Sequence, residues 1–359
     1  MKKAGSLVKT IIETVNLEEP ERDVITKAAE IIKQGGLVAF PTETVYGLGA
    51  DGLKEEAANK IYQAKGRPSD NPLILHIASC EAMNQLAREI PMKAWLLANH
   101  FWPGPLTMVL KKKEGVPDQT TGGLKTVAIR MPNHPVALSL IKESGCVIAA
   151  PSANTSGKPS PTLAEHVYHD LNGKVDMVLD AGPVGIGIES TIVDLTEDIP
   201  VILRPGYITK AMLEEVVGQV TMDKAIMAEN TDKQLKPKAP GMMYKHYAPN
   251  GELIIYEGAI EKVSKAINQS ASEKEAMGYK TGIIATEESK DKYHSGVVKT
   301  IGSRKNEVSI AQGLYAVLRE FDSLGCEYIY AESFQGNEFG QAIMNRLLKA
   351  AGHHIITLT

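Results

Sequence analysis

Positively charged side chains stand next to proline turns at three places in the sequence. The segment 65–76 (KGRPSDNPLILH) joins Lys65 and Arg67 to two prolines, just before an apolar run that predicts a strand. Arg130 and Arg204 each end a predicted strand and precede a proline by one or two residues. Because a guanidinium offers a planar fork of donors that suits phosphate and carboxylate, the three turns together predict one pocket for several anionic groups. Taken singly, each is equally typical of a solvated turn or an edge salt bridge.

Three other segments are rich in hydroxyl groups: 41–51 (PTETVYGLGAD), 151–161 (PSANTSGKPSP) and 187–191 (GIEST). Residues 42–44 of the first could bind a small polar molecule with an amine and a hydroxyl. Hydroxyls and backbone amides of the second could hold phosphate oxygens, although it lacks the spacing of a Walker loop. Helix caps and solvated turns are the alternative for both.

The sequence contains no recognisable catalytic nucleophile and no metal-ligand motif. There is no G-x-S-x-G elbow, no cysteine paired with a nearby histidine, and no H-E-x-x-H or C-x-x-C pattern. His76 lies in a predicted strand and is more typical of a half-buried imidazole than of a base. A site with many donors and no nucleophile favours direct transfer between two bound substrates, catalysed by positioning and electrostatics.

The length of 359 residues exceeds what one hydrophobic core usually supports, and we therefore expect two domains. In the first, only some candidate strands have helices between them, which predicts a mixed sheet. The stretch 231–250 contains Pro237, Pro240 and Pro249 and reads as an interdomain linker. Beyond it, strands and helices alternate regularly, which favours a small, mostly parallel α/β sheet.

Composition limits where the protein works and what it binds. A net charge of -4 provides no overall attraction to nucleic acid or to a membrane surface. The three cysteines are far apart and odd in number, which suits reduced thiols. The sequence has no apolar signal region and no run of 18 apolar residues. We therefore expect a cytoplasmic protein with no membrane association.

The motifs, taken together, resemble the YrdC-like family of L-threonylcarbamoyladenylate synthases. The segments that carry the resemblance are Pro41-Thr-Glu-Thr44-Val-Tyr-Gly-Leu, Lys65-Gly-Arg67 with Asn71-Pro-Leu, Ser152-Ala-Asn154 and Leu203-Arg-Pro-Gly206. The segment 240–249 (PGMMYKHYAP) is similar to the linker of the long, two-domain form, except that Met243 stands where a basic residue is expected. The resemblance covers the chain from about residue 20 to its end.

The resemblance implies an α/β fold in three parts. A YrdC-like catalytic domain with a twisted, mostly mixed sheet and helices would occupy residues 20–212. A connecting segment and linker would follow over 213–250, and a smaller Rossmann-like parallel domain would occupy 251–359. The linker would lie across the pocket as a lid. The resemblance gives the last domain no catalytic role, and packing or helix capping is the simplest interpretation of its Asn345-Arg346 pair.

The family makes threonylcarbamoyl-AMP and pyrophosphate from L-threonine, bicarbonate and ATP, with Mg accompanying the ATP. This product serves the N6-threonylcarbamoyladenosine modification of tRNA position 37, through a downstream transfer machinery. Stable binding of tRNA is not expected. Two other functions remain open at this stage: an RNA-binding module that uses the lysines 111–113, and a carbamoyl-handling maturation enzyme. The low net charge speaks against the first, and the absence of zinc-finger cysteines against the second.

The resemblance also implies a role for individual residues. The L-threonine site would contain Thr44, His76, Arg130, Ala150 and Ser190. The ATP site would contain Lys65, Arg67, Asn71, Thr126, Ser152, Asn154, Ser160, Arg204 and Tyr247. Lys65 and Arg67 would be the catalytic residues, and no protein metal site is expected.

Overall fold

A computed structural model describes residues 9–226, 247–334 and 336–359. Within these residues the chain forms two β-sheets covered by α-helices. The helices are α1 (Arg22–Lys33), α2 (Glu55–Lys65), α3 (Met83–Leu86), α4 (Met92–Phe101), α5 (Asp118–Thr121), α6 (Pro135–Ser144), α7 (Ala164–Leu171), α8 (Lys210–Val217), α9 (Ile260–Ala276), α10 (Glu307–Leu324) and α11 (Glu338–Ala350). None of the described helices combines the length and apolar character needed to span a bilayer.

The first sheet is mixed and has eleven strands. These are β1 (Ile11–Thr14), β2 (Val38–Phe40), β3 (Gly47–Asp51), β4 (Ile74–His76), β5 (Leu106–Lys111), β6 (Thr126–Arg130), β7 (Ile148–Ala149), β8 (Met177–Asp180), β9 (Thr191–Asp194), β10 (Val201–Arg204) and β11 (Thr221–Met222). Their order is β1-β8-β2-β3-β7-β4-β6-β5-β9-β10-β11. The sheet thus extends from Ile11 to Met222, beyond the predicted limits 20–212 on both sides.

The second sheet has five strands, and all of its pairings are parallel. The strands are β12 (Glu252–Glu257), β13 (Thr281–Ala285), β14 (Val297–Thr300), β15 (Tyr328–Glu332) and β16 (Ile355–Thr357). Their order is β14-β13-β15-β12-β16, with helices α9, α10 and α11 in the connections. The predicted α/β class, with a mixed sheet followed by a smaller parallel one, is confirmed.

The strands at the centre of the first sheet bury one face and leave the other for the site. Alternate residues of a strand point to opposite faces. Leu75 and Ile129 belong to the large apolar core beneath the helices, whereas Ile74 and Ala128 belong to a small cluster on the opposite face. The residues that follow Ile74 and Ala128 by two positions are His76 and Arg130, and they therefore share that second face.

Tight packing explains Gly49 of β3, the strand next to the site. A Cβ atom on Gly49 would lie 2.7 Å from the ring of Phe40 and 2.9 Å from the side chain of Ile148. Only glycine lets the strand approach these two side chains so closely. The glycine-rich segment that the sequence indicated as a turn is therefore a buried strand, and its first residues lead directly out of the polar turn 41–46.

Candidate active site

An open cleft lies on the free face of the first sheet. Twelve of the fourteen predicted site residues line it: Thr44, Lys65, Arg67, His76, Arg130, Ala150, Ser152, Asn154, Ser160, Ser190, Arg204 and Tyr247. Its charged lining is strongly positive, since five lysine and arginine side chains face a single carboxylate, that of Glu189. The cleft is thus suited to anionic ligands.

Arg130 is a buried cation whose bonding capacity is only partly used. It is 4 % exposed, and its Nη1 donates to Thr44 Oγ1 at 3.0 Å. Its Nη2 lies 2.8 Å from Glu43 Oε2, an ion pair whose angles do not make a good hydrogen bond. Among the described residues, Nε and Nη2 of Arg130 have no hydrogen-bond partner. Buried donors of this kind bind a ligand carboxylate with little rearrangement.

His76 lies beside Arg130, because β4 and β6 run parallel with these two residues opposite each other. Its Nδ1 lies 3.2 Å from the carbonyl oxygen of Ile74. Burial, together with the neighbouring charge of Arg130, lowers the pKa of His76 to about 3. The imidazole is therefore neutral at physiological pH, and it forms a polar wall of the cleft rather than a cation.

The neutral state of His76 predicts that acid destabilises the fold. In the unfolded chain this side chain has an ordinary pKa near 6.5, so the unfolded state gains a proton that the folded state does not bind. The contribution of His76 to stability is complete above about pH 6.5 and falls below it, by about 2 kcal/mol at pH 5. His134 and His166, whose pKa burial also lowers, add losses of their own in the same direction. Urea unfolding at pH 7 and pH 5 measures the loss. His76→Asn should reduce it by that amount, and an equal loss in both proteins would contradict the assignment.

Lys65, the last residue of α2, is buried and points at the loop after β7. Its Nζ donates to the carbonyl oxygens of Ser152 and Asn154, the latter at 2.5 Å, and lies 3.5 Å from Asn154 Oδ1. Burial and the charge of Arg67 lower the pKa of Lys65. Two of its protons are donated to the backbone carbonyl oxygens of this loop. In this structure Lys65 therefore fixes the loop, and contact with a phosphate would require one of its donors to change partner.

The loop after β7 is also braced by its own side chains. Ser152 Oγ donates to Asn154 Oδ1 at 2.5 Å, and Asn154 Nδ2 donates to the carbonyl oxygens of Thr155 and Lys158 at 2.9 and 3.0 Å. A loop held in this way presents backbone groups in fixed positions, as an anion-binding nest requires.

Arg67, Asn71 and Thr126 lie at the other end of the same two strands, their amino ends. Extending the register of β4 and β6 by two residues places Pro72 beside Thr126, and Arg67 Nη2 donates to the carbonyl oxygen of Pro72 at 3.1 Å. Thr126 is four residues from Arg130, about 13 Å along an extended strand. Asn71 and Thr126 are the two predicted residues outside the cleft lining. Asn71 Oδ1 is nevertheless buried without a hydrogen-bond partner among the described residues.

Arg204 ends β10 and secures the turn before β9. Its Nε donates to the carbonyl oxygen of Ser190 at 3.0 Å, and its Nη2 donates to Ser190 Oγ at 3.1 Å. Ser190 Oγ also lies 2.8 Å from Thr107 Oγ1. The predicted threonine and ATP residues are thus joined at this point by direct hydrogen bonds.

Sequence reasoning gave no role to Glu189, although it noted the segment that contains it. Ser160 Oγ donates to Glu189 Oε1 at 2.6 Å, and two side chains of the second domain, Tyr315 and Arg346, contact the same carboxylate. Because the Ser160 proton is engaged, Ser160 can only accept a hydrogen bond from a ligand. Its position directly before two hydroxyl residues, Ser190 and Thr191, was the one signal in the sequence, and it did not distinguish Glu189 from a turn residue.

Tyr247 is the first described residue after position 226 and lies near the end of the predicted linker. It is buried, and its ring stacks on that of Tyr315 at a centroid distance of 5.3 Å. Residues 227–246 lie outside the described part of the chain, and the predicted lid therefore stays a prediction. Among the described residues, no group of three or more histidine, cysteine, aspartate or glutamate side chains could hold a metal ion.

Two family models match the chain in succession. The model described as telomere recombination matches residues 30–206, and the model described as the C-terminal domain of threonylcarbamoyl-AMP synthase matches residues 208–352. A Bacillus subtilis protein named threonylcarbamoyl-AMP synthase is 50 % identical, over 92 % of this chain and 94 % of its own length. The chain belongs to the threonylcarbamoyl-AMP synthase family. It represents the long, two-domain form and is an enzyme of the nucleotidyltransferase type.

Other members of the family are similar over different lengths. The Pyrococcus abyssi synthase is 49 % identical over 97 % of this chain and 99 % of its own length. A crystal structure of P. abyssi Sua5 complexed with L-threonine superposes with a TM-score of 0.91, at 47 % identity over 97 % of this chain and 100 % of that one. A putative synthase from Mycobacterium tuberculosis is 39 % identical, covering 57 % of this chain and 95 % of its own length. The match to that relative thus spans little more than half of this chain.

Proposed function

We propose that the cleft forms threonylcarbamoyl-AMP and pyrophosphate from L-threonine, bicarbonate and ATP. The observation that carries this proposal is the combination of buried, incompletely bonded Arg130 with a wall of cations and no nucleophile. An amino acid carboxylate and a triphosphate are the two anions that such a cleft accommodates. The reaction between them then needs positioning and charge compensation rather than a covalent enzyme intermediate.

L-Threonine would bind at the carboxyl ends of β4 and β6. Its carboxylate would take the donors of Arg130 that lack partners, next to the hydroxyl of Thr44. The neutral ring of His76 would lie beside it without adding charge. The P. abyssi relative, which was solved with L-threonine, supports an amino acid site in this fold.

ATP would extend from this point towards the amino ends of the same strands. Arg67, Ser152 and Arg204 would face its phosphates, near the loop that Lys65 holds. The buried Asn71 Oδ1 lacks a donor, and the amino group of adenine is a donor of the required kind. Ser160 would accept from a ribose hydroxyl or from the base, because its own proton is donated to Glu189. Mg²⁺ would enter as part of the substrate, bound to the phosphate oxygens.

The chemistry requires two bond-forming steps. The neutral amine of threonine attacks bicarbonate, and water leaves as the N–C bond forms. An oxygen of the resulting carbamate attacks the α-phosphorus, and the bond to the bridging oxygen of the β-phosphate breaks, which releases pyrophosphate. Arg67 and the phosphate-bound Mg²⁺ would offset the charge that develops on the leaving group.

No described residue of the cleft lining offers a ready base for the amine. His76 has a pKa of about 3, and Glu189 accepts hydrogen bonds from three side chains. The Nζ protons of Lys65 are donated to backbone carbonyl oxygens. We propose that the amine loses its proton to solvent, and that the positive lining favours the neutral form.

The decisive experiment is an assay of pyrophosphate release in which threonine and bicarbonate are omitted in turn. The proposal expects release to depend on both, with threonylcarbamoyl-AMP detected by mass spectrometry. Release that persists without threonine would indicate an ATP pyrophosphatase and would overturn the proposal. Bicarbonate must be removed by degassing, because dissolved carbon dioxide would otherwise replace it.

Arg67→Ala is expected to lower the rate of pyrophosphate release by about tenfold to a hundredfold. One charge-assisted hydrogen bond contributes about 1.5 to 3 kcal/mol, and this sets the range. Arg67→Lys keeps the charge but loses the bidentate fork, and its rate should lie between those of Arg67→Ala and the unaltered protein. Initial rates at saturating threonine measure the effect. A rate for the alanine variant within twofold of the unaltered protein would remove Arg67 from the mechanism.

A further inference from the structure

Glu189 is the one carboxylate among the described residues that line the cleft, and it is 7 % exposed. It accepts hydrogen bonds from Ser160 Oγ at 2.6 Å, from the Tyr315 hydroxyl at 3.0 Å and from Arg346 Nε at 2.9 Å. Ser160 belongs to the first domain, whereas Tyr315 and Arg346 belong to α10 and α11 of the second. Most of the bonding of this active-site carboxylate therefore comes from the other domain.

The two domains are packed closely against each other around Glu189. Gly187 has a φ of +91°, and a Cβ on it would lie 2.5 Å from the Cα of Gln312 in α10. Gln312 Nε2 donates to the carbonyl oxygen of Gly185 at 2.5 Å. Helix α10 thus lies directly on the segment that leads to Glu189. Arg346, on α11, is completely buried.

A carboxylate inside a triphosphate site needs a counter-charge. Burial alone would raise the pKa of Glu189, but Arg346 and Arg204 lower it to about 2, so that the group stays ionised. Of these two cations, Arg346 makes the direct ion pair with Glu189, whereas Arg204 bonds to Ser190. If Arg346 were absent, Glu189 would attract Arg204 away from Ser190 and would repel the phosphates of ATP.

We propose that Arg346 and Tyr315 of the second domain are positioning residues for ATP. They hold and neutralise Glu189, which leaves the hydrogen bonds from Arg204 to Ser190 in place and fixes the hydroxyl of Ser160 as an acceptor. The inference rests on the proposed function, because it assigns ATP to this cleft. It gives the second domain a defined part in substrate binding, through a charge that the first domain leaves unmatched.

Arg346→Gln tests this directly. In the pyrophosphate assay, the KM for ATP should rise about tenfold or more, while the KM for threonine changes less than threefold. Titration calorimetry with ATP and Mg²⁺ should show the same loss of affinity without turnover. Tyr315→Phe removes one donor and keeps the ring, and it should raise the KM for ATP about threefold. This milder variant keeps the test meaningful if Arg346→Gln does not fold.

A second substitution separates charge compensation from simple packing. In Glu189→Gln/Arg346→Gln the unmatched charge is gone, so the KM for ATP should return to within about threefold of the unaltered protein. Arg346→Lys, which keeps the charge, should also recover most of the affinity. If the double variant binds ATP as poorly as Arg346→Gln, or if Arg346→Gln and Tyr315→Phe both leave the KM for ATP unchanged, the proposal is wrong.

The matched control is Gln312→Ala, which removes another interdomain hydrogen bond of α10 without touching Glu189. It should leave the KM for ATP unchanged, and a shift equal to that of Tyr315→Phe would indicate a general effect of loosening the interface. A parallel assay of the unaltered protein distinguishes failure of the proposed function from failure of this inference. If it releases no pyrophosphate with threonine and bicarbonate, the proposed function fails. If it does, an unchanged KM for ATP in both Arg346→Gln and Tyr315→Phe overturns only this inference.

Discussion

Replacement of Arg130 by alanine is expected to reduce kcat/KM for threonine by at least a hundredfold. The substitution removes the charged partner of the substrate carboxylate, a contact worth about 1.5 to 3 kcal/mol. It also leaves Glu43, whose nearest cation was Arg130 at 2.8 Å, as an unpaired carboxylate next to the substrate carboxylate. Repulsion between these two groups adds to the loss, which makes this the largest effect on activity. Pyrophosphate release over a range of threonine concentrations measures it.

Two companion variants separate these contributions. Arg130→Ala/Glu43→Gln lacks both charges and should recover part of the lost kcat/KM, since the repulsion is gone while the missing contact is not. Arg130→Lys keeps a charge without the bidentate fork and should retain more activity than alanine. If Arg130→Ala keeps its KM for threonine within threefold, the carboxylate binds elsewhere in the cleft.

The largest effect on stability is expected from Asp170→Asn. The carboxylate of Asp170 is fully buried and accepts from both terminal nitrogens of Arg319, at 3.2 and 3.0 Å, and from the backbone amide of Thr155 at 3.1 Å. Removal of its charge leaves the buried guanidinium of Arg319 without its counter-ion. Breaking such a pair on one side costs about 3 to 5 kcal/mol. Urea unfolding followed by tryptophan fluorescence measures the change.

The control for this variant is Asp291→Asn, a substitution of the same kind at an exposed position of the second domain. It should change the free energy of unfolding by less than about 0.5 kcal/mol. A loss below 1 kcal/mol in Asp170→Asn would mean that solvent reaches the pair and screens it. Because Asp170 and Arg319 belong to different domains, the variant should also separate the unfolding of the two domains into distinct transitions.

The site residues that could be predicted from local sequence are those at the carboxyl ends of strands. An apolar run followed by an arginine and a proline places the charge at the end of a strand, and this rule predicted the positions of Arg130 and Arg204 in the cleft lining. His76 received its place only through the family resemblance. The same rule assumes that ligands lie at carboxyl ends. Asn71 and Thr126 lie at amino ends instead, where that rule does not apply, and neither lines the cleft.

Other features were missed because they depend on contacts between distant parts of the chain. The segment Gly47–Asp51 has the composition of a turn, and only the approach of Phe40 and Ile148 makes it a strand. Nothing near Tyr315 or Arg346 in the sequence indicates an active-site carboxylate more than 120 residues away. When a carboxylate in one domain pairs with an arginine in the other, neither local sequence indicates the pairing.

One face of α10 makes these distant contacts with Gln312, Tyr315 and Arg319, which reach Gly185, Glu189 and Asp170 in the first domain. A relative that lacked the second domain would lack all three of these contacts. Without this helix, side chains equivalent to Glu189 and Asp170 would be open to solvent, and water would hydrate their charge. The buried, ionised state of these two acids is thus a property of the two-domain arrangement, and the second domain is not simply an appended module.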